Sequence, residues 1–229
     1  MLSDIPRSEY FARKRSTRSG FTLIELLMVI AVIGILVGMT FGISDAVRNA
    51  QGRSRAKAEI ASIAMALEQF KSTYGDYPWT TEGASSPEDN SELLLQALLG
   101  CMKFEREGGV TTFVSKTNVP STGPKALIDV SKLTIRKVGD DAPYVDLPST
   151  TTSGPSGYYL ADPWGNPYVF VYGKSGSSNT WEVFGFHLYS MGPDELQDTS
   201  AIDSTTGVMV PDFREIGNGE NVDNIYTGE

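Results

Sequence analysis

From Gly20 to Ile43 the chain reads GFTLIELLMVIAVIGILVGMTFGI, and over the 23 residues from Phe21 to Ile43 the only charged side chain is Glu25. At about 1.5 Å of rise per residue such a run makes a helix of about 35 Å, enough to cross a hydrocarbon core of about 30 Å with slight tilt. The run reads as a membrane span, and a chain that begins this way has few folds open to it. The charge is out of place. A carboxylate in hydrocarbon costs roughly 2.5 to 3.5 kcal/mol even on a lenient insertion scale, so Glu25 calls for a partner.

The preceding segment, Met1 to Ser19, carries Arg7, Arg13, Lys14, Arg15 and Arg18 against Asp4 and Glu9, which predicts a cytoplasmic N-terminus by the positive-inside rule. A secretory signal peptide has its small-residue cut site after the apolar stretch, whereas here the small residue, Gly20, comes before it. A cut after Gly20 removes the basic leader and keeps the span. It also creates an α-amino group on Phe21, one helical turn from Glu25, able to act as the cationic partner within the chain or on a neighbour.

These residues resemble the class III prepilins: a short basic leader, Gly20 at the cut, Phe21 as the new terminus, then TLIELL with Glu25 fifth in the mature chain. The resemblance implies a prepilin peptidase/methyltransferase as partner, N-methylation of Phe21, and a role for Glu25 in docking a subunit against the terminal amine of the preceding one. The contrasting reading is an uncleaved anchor with a chance glutamate.

The net charge of the whole chain is −9, and loss of the leader takes it to −12. So acidic a chain lacks the electrostatic footprint of a nucleic-acid binder and repels anionic lipid head groups, but attracts divalent cations. Cys101 is the only cysteine and His187 the only histidine, so no intramolecular disulfide and no Cys/His zinc site can form. Cys101 follows ELLLQALLG and reads as a small buried hydrophobe rather than a nucleophile.

No proline interrupts Gly20 to Pro78, and Ile60, Ile63, Ala64, Leu67 and Phe70 recur at helical spacing. One helix is predicted from Phe21 to about Lys71, apolar all round at first and amphipathic later, stopped by Gly75 and Pro78. Gly34, Gly38 and Gly42 fall four apart, a spacing that suits either close helix packing or simple flexibility near Gly42. Arg48, Arg53, Arg55 and Lys57 read as a solvated face, with interfacial snorkelling or inter-subunit pairing as the other reading. Asp76 to Ser91 predicts a loop, and Ser91 to Lys103 a short helix capped by Asn90 or Ser91. Strands are predicted at Val110 to Ser115 and Leu133 to Val138, and Leu147 to Gly157 reads as a loop. An antiparallel hairpin is predicted from Tyr168–Tyr172 and Trp181–Ser190 around GKSGSSN, with Phe184, Phe186 and Leu188 toward the core and His187 on the other face.

Ahead of the hairpin stands DPWGNPY, after it LYSMGPDE, and later EIGN at Glu215 to Asn218. This trio resembles the major pseudopilin of type II secretion systems. The resemblance implies one structural calcium ion in the loop after the last long strand. Asp194 matches the loop aspartate, and Asp198 and Asp203 are nearby hard-oxygen donors. Pro193 and Glu195, and the Ser/Thr-rich stretch Leu196 to Gly207, depart from that family's glycine-rich loop.

The expected architecture is α+β and pilin-like: a long N-terminal helix, membrane-spanning in its first half, packed on a small C-terminal antiparallel sheet. The expected divisions are a leader (1–20), a span (21–43), an amphipathic continuation (44–75), a variable region (76–157) and a sheet domain with an acidic loop (158–229). The resemblance implies a non-enzymatic subunit in the bacterial inner membrane with its C-terminal domain in the periplasm. It would polymerise with identical subunits and minor pseudopilins on an inner-membrane assembly platform, in contact with membrane lipid. A type IV pilus subunit and a plain anchored ectodomain are the alternatives. A single histidine, a single cysteine and no phosphate-binding loop give an enzyme reading no support.

Overall fold

The computed structural model describes residues 20–78, 86–107, 110–115, 126–144, 156–175, 178–179 and 181–228; the leader and most of Leu147–Gly157 lie outside them. The chain divides into two compact units, Met1–Ala46 and Val47–Glu229. Leu23 to Tyr74 form one helix, α1, that runs through both and begins two residues later and ends three residues later than predicted. Gly75 closes it in the left-handed region at φ 88°, where its N–H donates to the Lys71 carbonyl at 2.7 Å. A residue without Cβ adopts that conformation at no steric cost.

In the first unit every described side chain from Phe21 to Gly38 is exposed. Among the described residues no helix is long and apolar enough to cross a membrane. The side chains of 39–45 lie outside that description, so the expected span Phe21–Ile43 is only partly covered by it. Gly34 and Gly38 have open space where a Cβ would stand, and Gly42 lies among the residues whose side chains are not described.

In the second unit α1 buries Ile60, Ile63, Leu67 and Phe70 of the predicted stripe, while Ala64 is half-buried and Ala56, one turn earlier, joins the core. The second helix, α2, spans Pro87–Leu98, which corrects both the Asp76–Ser91 loop and the Ser91–Lys103 helix. Ser86 is the N-cap, its hydroxyl accepting from the Asp89 N–H at 3.1 Å. Pro87, Glu88 and Asp89 fill the first turn, where a missing N–H and negative charge are favoured. Asn90 and Ser91 are therefore inside the helix and bond the sheet: Asn90 Oδ1 accepts from Phe170 N at 2.8 Å and Ser91 Oγ donates to the Leu160 carbonyl at 2.7 Å. Cys101 is buried, as expected.

The strands are β1 (Met102–Glu107), β2 (Val110–Ser115), β3 (Thr134–Lys137), β4 (Asp140–Tyr144), β5 (Tyr158–Ala161), β6 (Val169–Tyr172), β7 (Lys174–Ser175), β8 (Ser178–Asn179), β9 (Phe186–Ser190) and β10 (Ile225–Tyr226). All pairings are antiparallel: β1 with β2, β7 with β8, and two three-stranded sheets ordered β4-β3-β5 and β10-β9-β6. The predicted hairpin is β6 with β9, in the register Val169↔Tyr189 to Tyr172↔Phe186. Its second strand is shorter than Trp181–Ser190, because the N–H groups of Glu182 and Val183 donate to the carbonyls of Thr205 and Thr206 instead. Phe184, which the alternation placed in the core, is half exposed. The β10-β9-β6 sheet is covered on both faces: Phe170, Leu188 and Ile225 join α1 and α2 in the main core, while Val169, Tyr189 and Tyr226 form a second cluster with Met191.

Candidate functional site

At the head of α1 the sequence Thr22-Leu-Ile-Glu25 folds into a reciprocal cap. The Thr22 N–H and hydroxyl both donate to Glu25 Oε2, at 2.9 and 2.8 Å, and the Glu25 N–H donates back to Thr22 Oγ1 at 3.3 Å. Free N–H groups at a helix start need acceptors, and here the carboxylate supplies one within its own turn. The sequence reading missed this role, although a Thr followed three residues later by Glu before an apolar run is its signal. The other expected partner, an amine on Phe21, exists only once the Gly20–Phe21 bond is cut. Phe21 is 84% exposed and a Cβ on Gly20 would meet nothing within 4 Å, so the fold itself does not require glycine there.

In the second unit, three polar hubs hold the C-terminal motifs. The first is Asp162 of DPWGN, fully buried. Its Oδ1 accepts from the N–H groups of Trp164, Gly165 and Asn166 at 3.0, 2.8 and 2.9 Å, and its Oδ2 accepts from Ser190 Oγ at 2.6 Å. Asn166 Nδ2 donates to the Gly192 carbonyl at 2.7 Å. DPWGN and YSMG therefore form one structure, an Asp-centred turn joining β5 to β6 and locked to the end of β9. Burial pushes the Asp162 carboxyl above its ordinary range, against the opposing pull of its donors.

The second hub joins α1 to the sheet. Glu59, 4% exposed, accepts from Arg55 Nε and from the buried Tyr168 hydroxyl, each at 2.7 Å, and Arg55 Nη2 donates to Thr134 Oγ1 at 2.7 Å. Burial, and then the Glu59 carboxylate beside it, pushes the Tyr168 phenol far above its ordinary value. Trp164 lies on α1 at Gly52, where a Cβ would come within 2.7 Å of its ring. The signal for this hub was a charged residue, Glu59, inside the apolar stripe between Ala56 and Ile60.

The third hub orders the acidic loop. Asn221, fully buried, accepts from Asp198 N at 3.0 Å and Asn224 Nδ2 at 2.9 Å, and donates to the carbonyls of Asp198 and Phe213, both at 3.2 Å. Of the residues matched to a calcium site, Asp194 accepts from Leu196 N. Asp198 accepts from Ser200 N and Oγ, and Asp203 from Thr205 N and Thr206 N. Among the described residues no three His, Cys, Asp or Glu side chains converge as metal ligands. Each of the three aspartates accepts within a local turn. Those bonds hold the Asp198 and Asp203 carboxyls below the ordinary range. His187, placed on the non-core face, is half-buried, with Nε2 2.8 Å from the Gly207 carbonyl and its ring against Trp181.

Residues 15–41 match the family model of the prokaryotic N-terminal methylation motif. The chain is 26% identical over 194 residues to the type II secretion system core protein G of Pseudomonas aeruginosa, spanning 85% of this chain and 96% of that protein. With the Escherichia coli core protein G it shares 28% identity over 182 residues, 80% of this chain and 86% of the relative. With the Klebsiella michiganensis protein of the same description it shares 29% over 70 residues, 31% and 49% of the two chains. No solved structure matches the chain.

Proposed function

We propose that this chain, a type IV prepilin-like protein similar to core protein G of type II secretion systems, is the major structural subunit of a secretion pseudopilus. The observation that carries the reading is the register at the head of α1: an exposed Gly20–Phe21 bond, then Glu25 capping an apolar helix whose described side chains all face outward. A peptidase partner cuts after Gly20 and methylates Phe21. The apolar helix rests in the inner membrane, with the Val47–Glu229 unit on the periplasmic side.

Transfer of such a helix from lipid to a bundle of identical helices exchanges one apolar environment for another, so it is not prohibitively uphill. The Phe21 amine adds a cationic partner for Glu25 to the cap already made with Thr22. A charge pair formed away from water sets the register of the incoming subunit and is costly to break by removing one partner. An assembly platform and minor pseudopilins complete the machine, and the chain acts through assembly rather than catalysis.

The deciding experiment is the intact mass of the chain recovered from its own membranes, with N-terminal fragmentation. A mass beginning at methylated Phe21 is expected; one beginning at Met1 makes the protein an uncut anchor and overturns the reading. Glu25→Ala is expected to leave cutting intact and to abolish filaments, and normal filaments from that variant would refute the docking role.

A further inference from the structure

We infer that the outer edge of β2 is an interaction surface for a second copy of this chain, which lays its own β2 against it, antiparallel, across a two-fold axis at Phe113. The inference does not depend on the filament reading.

The surface begins in local sequence. β1 (MKFERE) and β2 (VTTFVS) are separated by Gly108 and Gly109 and pair from Glu107↔Val110 to Met102↔Ser115. They make a sheet of two strands, with no third strand beside them among the described residues. Such a ribbon is marginal by itself, since the N–H and C=O groups along its outer edges lack strand partners. α2 meets β2, and the short link 99–101 between α2 and β1 holds it near the Met102↔Ser115 end.

The register then fixes which backbone groups face outward. A two-residue connection closes on a hydrogen-bonded pair, so Glu107↔Val110, Glu105↔Thr112 and Lys103↔Val114 exchange bonds inside the ribbon. The N–H and C=O groups of Thr111, Phe113 and Ser115 therefore point out along the free edge of β2. A copy can bond them only with its own residues of the same set. Antiparallel pairing meets that condition with Phe113 opposite Phe113 and Thr111 opposite Ser115, about six hydrogen bonds in all, and no other register uses all three residues.

Charge selects β2 over β1 and stops growth at two copies. β2 has no charged residue and no proline and is rich in β-branched and aromatic residues, whereas β1 carries Lys103, Glu105, Arg106 and Glu107. Charged residues blunt a strand edge against pairing, and an edge without them stays open. Copies of a chain with net charge −9 repel, so an uncharged edge is where two of them can meet. In the four-stranded product, β1-β2-β2-β1, the charged strand lies at both outer edges and no open edge is left. The contact is isologous and closed. Phe104 is the register partner of Phe113, so the same pairing sets four phenylalanines in one row across the sheet.

The test is oxidative cross-linking of the full-length chain in its own membranes, as F113C or T112C; the native Cys101 is buried and common to both. Across the axis the two 113 positions stand about 5.5 Å apart between Cα atoms, within disulfide reach, while the two 112 positions are diagonal, about 7 to 8 Å apart, and outside it. F113C is expected to give about tenfold more covalent dimer than T112C. Equal yields overturn the inference. So does the absence of F113C dimer, the result if another stretch of the same chain fills the edge, and so does a cross-link to a different protein in its place. Since F113C also alters the pair with Phe104, sedimentation of the purified full chain in detergent is measured for wild type, F113K, F113E and a mixture of the two variants. Wild type is expected to be dimeric. Each variant alone is expected to lose about tenfold in dimer because like charges stand directly opposite, and the mixture to regain most of it. A monomeric wild type, or a mixture no more dimeric than its components, overturns the inference.

Discussion

Replacing Tyr168 by Phe removes one oxygen atom from the join between α1 and the sheet. The hydroxyl is buried and donates to Glu59 at 2.7 Å, and Glu59, 4% exposed, keeps Arg55 as its remaining partner. A hydrogen bond to a charged group contributes about 1.5 to 3 kcal/mol net, and a buried carboxylate that loses one of two donors but keeps the other sits near the middle of that range. Taking about 2 kcal/mol, the ratio of folded to unfolded chain falls about thirtyfold. With a urea slope of about 2 kcal/mol per molar the midpoint falls by about 1 M. Arg55 is 56% exposed, so its pair with Glu59 is discounted for solvent screening and does not replace the lost donor. The assay is urea unfolding of the full chain in detergent, as a cycle of Tyr168→Phe, Glu59→Gln and the double variant. Coupling of about 1 kcal/mol or more is expected because the two groups share one bond. Strictly additive effects, or a midpoint shift of Tyr168→Phe below about 0.2 M, would refute the argument that this bond fixes the helix on the sheet.

Three further outcomes follow from the same geometry. Gly52→Ala should lower the thermal midpoint, although alanine is favoured over glycine in a helix by about 1 kcal/mol, because the new Cβ meets the Trp164 ring at 2.7 Å and overpacking costs about 1 to 3 kcal/mol; a raised midpoint would contradict the packing. Asn221→Ala should destabilise the chain by about 3 kcal/mol through the buried groups it leaves unpaired; a urea midpoint equal to that of the wild type would show that this side chain does not order the loop. Asp198 and Asp203 have depressed carboxyl values in the folded chain, so their contribution is present above the unfolded value near 3.8 and is lost as pH falls through the folded values. Protection of the amides over 198–208, taken relative to the intrinsic exchange rate at each pH, should therefore fall below about pH 4, and Ser200→Ala should shrink that response at Asp198.

Local pattern determined much of this protein. An apolar run, a basic leader, a glycine and a glutamate in one register are read directly, because insertion, charge and helix periodicity act over a few turns of chain. The stripe Ile60–Phe70 and the β6–β9 hairpin were legible for the same reason: periodicities of 3.6 and 2 report which face is buried. The start of α2 was misread because the apolar residues begin later than the cap, and Ser86-Pro87-Glu88-Asp89 states the start in capping chemistry rather than in hydrophobicity. Only the tertiary structure decided what the polar residues do. Asp162 and Ser190 lie 28 residues apart, Glu59 and Tyr168 109, and Asp198 and Asn221 23. A hydrogen bond has no periodicity, so the distant donors of a buried carboxylate leave no trace in sequence spacing until the chain has folded around them.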